Sequence, residues 1–164
     1  MNVKSLFGIA SRYIIVFLIG LINLLGGNSG ILYEIFTPLT IYPVYFLFSL
    51  IYGNSVHFIS PDTLFIKGYY ATIIPACVAA SAYYLLLILN LSTPKIKLDN
   101  RIKMIALSFF VFLVVNILRI FVLSIVAVSG TSLFDITHRV FWYLLSTVFV
   151  VAIWFAEVSI FKIK

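Results

Sequence analysis

The chain has 164 residues, of which 63% are hydrophobic and only 10% charged, with a formal net charge of +6. Soluble domains run at roughly 45–50% and 25%, and no soluble core of this length absorbs so much apolar surface, which excludes an ordinary water-soluble domain. The composition is that of an all-α, polytopic integral membrane bundle in a single domain, 1–164; its positive charge reads as an orientation signal and as attraction to anionic headgroups, with no nucleic acid as partner.

Apolar runs that reach or exceed the ~18 residues of a spanning signal predict about five transmembrane helices. The first covers about Leu6–Leu25 and stops at Gly26-Gly27-Asn28-Ser29-Gly30. No small-x-small cleavage site follows Leu25, so this run reads as a span rather than a signal peptide. The second covers about Ile35–Tyr52 and contains Pro38 and Pro43, which a bundle tolerates as kinks because neighbours re-satisfy the freed carbonyls. Next comes Val56–Thr72, where β-branched and aromatic residues surround the turn chemistry of Ser60-Pro61-Asp62-Thr63; it predicts a short hairpin lying on the outer membrane face. The third helix covers about Ile74–Leu91, the fourth about Met104–Val128 and the fifth about Thr137–Ile160.

Alternation of five spans puts the N-terminus and the 53–73 and 129–137 loops on one side. Lys95, Lys97, Arg101, Lys103, Lys162 and Lys164 then lie on the other, against Lys4, Arg12, Lys67 and Arg139. The positive-inside rule makes the first of these sets cytoplasmic.

Polar residues inside apolar runs are costly and therefore informative. Arg119 lies in the outer half of the fourth helix, where an arginine costs about 2.5–3.5 kcal/mol on insertion scales and must face protein or water. Asn116 precedes it by three residues, on the same face. Cys77, the single cysteine, excludes a disulfide within the chain. Pro75 at the first helical position places it among unpaired N–H groups, where a thiolate is favoured; alone, such a cysteine is more often a small hydrophobe. His138 opens the fifth helix beside Arg139, as an interfacial histidine or as a base. Span parity brings Cys77, Arg119 and His138 to one membrane face: a nucleophile, a cation and a proton carrier. Ser81 and Tyr84 fall four and seven residues after Cys77 and are predicted to line its pocket or to pack between helices. His57, Cys77, Asp135 and His138 are too scattered for a zinc site, and no HExxH or phosphate loop appears.

Pro75-Ala76-Cys77 at the head of one helix, Asn116-x-x-Arg119-Ile120 within the next and His138 at the head of the last resemble the exosortase/archaeosortase family over about Pro38–Leu145. The resemblance implies a membrane-embedded cysteine transpeptidase with Cys77 as nucleophile, Arg119 as stabilising cation and His138 as general base or acid. It implies secreted protein substrates with a C-terminal hydrophobic anchor, and a lipid, another amine or water as acceptor. No cofactor or metal is expected, and the site lies near the extracytoplasmic face of the cell membrane. Two departures stand out. Many members have Ser-Gly or Thr-Gly after the cysteine, where this chain has Val78-Ala79, and the archaeal branch uses an arginine third, a place Arg139 could fill. The rival from another class is a non-enzymatic membrane subunit, an assembly factor or transport component, with Arg119 as a packing or pathway residue.

Overall fold

A computed structural model describes residues 8, 10–18, 20, 31–94, 96–130 and 134–161. In chain order these form a helical stretch α1 (residues 10–18), α2 (Ile31–Tyr52), a 3-10 turn (Gly53–Ser55) and strands β1 (Val56–Ser60), β2 (Thr63–Ile66) and β3 (Tyr69–Thr72). Then follow a one-turn helix α3 (Pro75–Val78), α4 (Ala80–Ser92), α5 (Leu98–Val128), α6 (Phe134–Tyr143), a π-helical stretch Leu144–Phe149 and α7 (Val150–Ile160). Both ends of the expected first helix, the Gly26–Gly30 stop, and Lys4, Lys95, Lys162 and Lys164 lie outside the described residues. Among the described residues three helices are long and apolar enough to cross a membrane, Leu32–Ser55, Pro75–Ser92 and Leu98–Val128; Thr147–Ile160 is apolar but shorter.

The distribution of residues on α5 is inverted relative to a water-soluble helix. Its buried stripe includes Arg101, Ser108, Asn116 and Arg119, while Ile102, Phe110, Val114, Leu118 and Val122 face outward. The same holds on α2, where Thr37 and Thr40 are buried and Leu39, Tyr42, Phe46 and Leu50 are exposed. In water that pattern would forfeit most of the burial energy. Against hydrocarbon, polar groups must turn inward to find partners and apolar ones are free to face out.

Ring contacts and hydrogen bonds set the helix directions. Phe36 and Phe48 of α2 meet Phe109 and Phe121 of α5, so these two helices run parallel. Tyr83 of α4 packs on Phe109 and Phe112, Asn90 bonds Ser108, and Arg101 reaches the end of α4, so α4 runs the opposite way. Trp154 and Glu157 of α7 also meet the end of α4, at Thr93 and Asn90, which brings α6 to the other end beside the close of α5. The bundle therefore has an α4-terminal end, at Ser92, and an α5-terminal end, at Val128.

Three expectations need correction. First, the hairpin is a three-stranded antiparallel meander, β1-β2-β3, with a register irregularity between Phe58 and Ser60. Its second turn is Lys67-Gly68, both at positive φ (46° and 96°), the two-residue geometry that matches strand twist. Val56, Leu64 and Ile66 form one buried face, which three short strands cannot shelter alone, so the sheet folds back along α2 instead of lying beyond it. Phe58 packs on Tyr42 and Tyr45, and the Tyr33 hydroxyl donates to Ile73 O at 3.0 Å. Second, the third helix is not continuous, because Ala79 adopts a left-handed conformation (φ 55°, ψ 45°) that separates α3 from α4. Third, α5 begins at Leu98, not near Met104, and Arg101 is buried (4% exposed) rather than a loop charge. Its guanidinium donates to the main-chain carbonyls of Asn90, Leu91 (2.8 Å) and Thr93 (2.8 Å), satisfying the acceptors that a helix end leaves open.

Arg12 is displaced from its expected place as well. It lies within electrostatic reach of Arg101, while the Tyr84 hydroxyl donates to Val16 O at 2.8 Å. Arg12 thus sits at the α4-terminal end, where strict alternation of five spans would not put it.

Candidate active site

The chain turns from the sheet into the bundle at Ile73-Ile74-Pro75, and the cysteine follows at once. Pro75 has no N–H to lose at a helix start and its φ is already helical. The Cys77 amide is not left open, as the helix-start reasoning expects, because it donates to Ile74 O at 2.7 Å. A four-residue helix also builds little dipole. What surrounds Cys77 must therefore come from elsewhere in the fold.

It comes from α5. Breaking the helix at Ala79 frees the carbonyls of Cys77 and Val78, which a continuous helix would have bonded, and Asn116 Nδ2 donates to them at 2.9 and 3.4 Å. Asn116 Oδ1 in turn accepts from Arg119 Nη1 at 3.3 Å, so one fully buried amide joins the cysteine backbone to the guanidinium. Arg119 is 3% exposed, and its Nε has no hydrogen-bond partner among the described residues. A buried donor without a partner costs about 1–3 kcal/mol, more when charged, and Arg119 carries that cost at the edge of a cavity. Arg119 also interacts electrostatically with Cys77.

The cavity has a volume of about 230 Å³ and lies between β3, α3, α5 and α6. Cys77, Arg119 and His138 all line it, with Tyr69, Tyr70 and Ser124 among the rest of its wall. Cys77 and His138 are half-buried, and the imidazole stacks on Phe134 with ring centroids 5.8 Å apart and 6° between planes. A thiol, an imidazole and a guanidinium facing one small space are the groups that nucleophilic acyl transfer requires.

Other expected members fall away. Arg139 is exposed and does not line the cavity. Ser81 is exposed, and Tyr84 points to α1 rather than to Cys77. Counting i+4 and i+7 from Cys77 presumes one helix, and the left-handed residue at Ala79 resets the phase. His57 is exposed on β1, and the Asp135 side chain lies outside the described residues. No three His, Cys, Asp or Glu side chains come close enough to hold a metal ion among the described residues.

The sequence reading missed the wall contributed by β3, for which the tyrosine pair before Ile74-Pro75 was the available signal. It also missed Glu157, a carboxylate in an apolar helix that the reasoning applied to Arg119 should have singled out. Compared with protein-family models, curated proteins and solved structures, the chain finds no match.

Proposed function

We propose that the chain is a multi-pass membrane cysteine peptidase or transpeptidase of the exosortase/archaeosortase kind, with Cys77 as nucleophile, Arg119 as the stabilising cation and His138 as the proton carrier. The observation that carries this reading is the single cavity onto which these three side chains, from three different helices, all open. The uncommitted Arg119 Nε supports it as a donor for an oxyanion. The position of Arg139 off the cavity favours His138 as the third residue. The departure at Val78-Ala79 weighs less than it did, because the place where the family pattern has glycine is the one residue here at positive φ between α3 and α4.

The reaction follows from these roles. His138 takes the thiol proton and Cys77 Sγ attacks a substrate peptide carbonyl carbon, whose π electrons move onto the oxygen beside Arg119. The carbonyl re-forms as the C–N bond breaks, the leaving nitrogen takes the proton from the imidazolium, and a thioester to Cys77 remains. An amine acceptor attacks that thioester and loses its proton to His138; the C–S bond breaks, the acyl group stays on the acceptor nitrogen, and the imidazolium returns the proton to the Cys77 thiolate. A lipid amine as acceptor anchors the product in the membrane; water makes the reaction hydrolytic. The substrates are secreted proteins with a C-terminal hydrophobic anchor.

Charge supports the orientation. Arg12, Lys97, Arg101 and Lys103 gather at the α4-terminal end, whereas Lys67 and Arg139 flank the α5-terminal end. The positive-inside rule makes the first end cytoplasmic and sets the cavity toward the outer face. Here α2, α3–α4, α5 and the 134–160 run cross the membrane, and α1 touches α4 where the Tyr84 hydroxyl donates to Val16 O.

The decisive experiment co-expresses an anchored candidate substrate with wild type, Cys77→Ala or His138→Ala. Both variants should reach normal membrane levels and leave the substrate unprocessed. The rival reading, a non-enzymatic membrane subunit, predicts that Cys77→Ala is indistinguishable from wild type, and that result would end the transpeptidase assignment.

A further inference from the structure

At the end of the bundle away from Cys77, three helices bury a second polar cluster that acyl transfer does not use. Glu157 of α7 is 1% exposed, and Asn90 of α4 and Ser108 of α5 are fully buried. Asn90 Nδ2 donates to Glu157 Oε2 at 3.2 Å, to Ser108 Oγ at 3.3 Å and to Leu86 O at 3.1 Å. The Leu86 carbonyl can only accept, which fixes the amide nitrogen on that side and identifies the other amide atom as the oxygen, Oδ1. Two buried oxygens then have no partner among the described residues, Asn90 Oδ1 and Glu157 Oε1.

An ionised carboxylate here would be a buried charge beside a second unpaired acceptor, eased only by neutral groups among the described residues, the Asn90 amide and Ser108, whose hydroxyl donates to Ile105 O. No described basic group answers it. The α4 helix presents no charged residue to it. On α5, Arg101 is bound to three main-chain carbonyls at the end of α4 and Lys103 is exposed. Arg12 on α1 bonds its own helix at Gly8 O. A buried charge without a counter-charge costs several kcal/mol and resolves itself by taking up a cation or becoming neutral.

We propose that Glu157 and Asn90 form a proton-binding site in the core of the bundle, in which a proton on Glu157 Oε1 is donated to Asn90 Oδ1 and closes a cyclic acid–amide pair with the observed Nδ2–Oε2 bond. One proton satisfies both orphaned oxygens and removes the charge. Its ligand is H⁺, and binding joins α4 to α7, with Ser108 joining α5 through the same amide. The pair is closed by that proton and opens when it leaves, so its contribution to stability falls as pH rises.

The test uses the full-length protein in lipid nanodiscs. Infrared spectra at neutral pH should contain a protonated-carboxyl carbonyl band that disappears in Glu157→Gln. Glutamine can reproduce both hydrogen bonds, so Glu157→Gln should match wild-type thermal stability at neutral pH and lose the decline on going alkaline, while Glu157→Ala should melt earlier at every pH. Absence of the neutral-carboxyl band from the wild type overturns the proposal even if no variant folds. So does a sodium-dependent melting temperature that Glu157→Gln abolishes, since a metal cation would then occupy the place assigned to the proton.

Discussion

Arg101 and Arg119 lie on one face of the same helix, 18 residues or about five turns apart, yet the two ends of the bundle treat them differently. Both are buried, at 4% and 3% exposure. At the α4-terminal end the Arg101 guanidinium is committed to three carbonyls of one helix terminus, and nothing is left for a ligand to do. At the α5-terminal end, among the described residues, Arg119 makes one 3.3 Å bond to Asn116, has no partner for Nε and borders a cavity shared with Cys77 and His138. What separates the two arginines is therefore how many of their donors the described residues account for. Burial and charge alone do not separate the two.

The same substitution at both positions breaks or sharpens that contrast most strongly. Arg119→Lys keeps the charge but loses the planar fork, and should lower substrate processing by about 100-fold, the effect of removing one oxyanion donor, at unchanged membrane level. Arg101→Lys should leave processing per folded molecule near wild type. It should cost about 1–3 kcal/mol of stability, because a lysine cannot serve three divergent carbonyls; thermal melts and processing assays on the same preparations measure both. Equal activity losses in the two variants would erase the distinction.

A smaller effect comes from the helix break that gives Asn116 its acceptors. Ala79→Gly should stabilise by about 1 kcal/mol, since glycine takes the left-handed conformation without the Cβ clash, and should leave processing intact. If it instead lowers the melting temperature, the break between α3 and α4 is not the ground-state geometry. The least effect is expected in the sheet. The hydroxyls of Ser60 and Thr63 hold the Asp62 carboxyl below the usual aspartate range. Their contribution is present above that range and fades as pH falls through the lowered value. The protection of the Ile73 amide, whose N–H bonds Asp62 O at 2.7 Å, should fall in acid relative to its intrinsic exchange rate for wild type, and change less in Asp62→Asn.

That Cys77, Arg119 and His138 belong to one candidate site was legible in the sequence because such residues are expensive where they stand. Arg119 and Asn116 interrupt an apolar run, and Cys77 and His138 each follow the start of a helix. Arg101 was misread because a loop charge and a helix-capping charge have the same local sequence. Of the two readings for Ser81 and Tyr84, lining the pocket fails because the chain changes phase at Ala79, and Val78-Ala79-Ala80 carries no helix breaker to announce it. Glu157 was overlooked although its cost is as visible as that of Arg119.

By itself the sequence determined the apolar, helical character and the residues with chemistry to offer, since long apolar runs leave polar groups few places to go. Only the tertiary structure decided which of them meet. The left-handed turn at Ala79 is tolerated because Asn116, 37 positions away, receives the carbonyls it releases. The cavity exists because a sheet with one apolar face had to fold back onto α2 and α5. Such long-range compensation has no signature in any single stretch of chain.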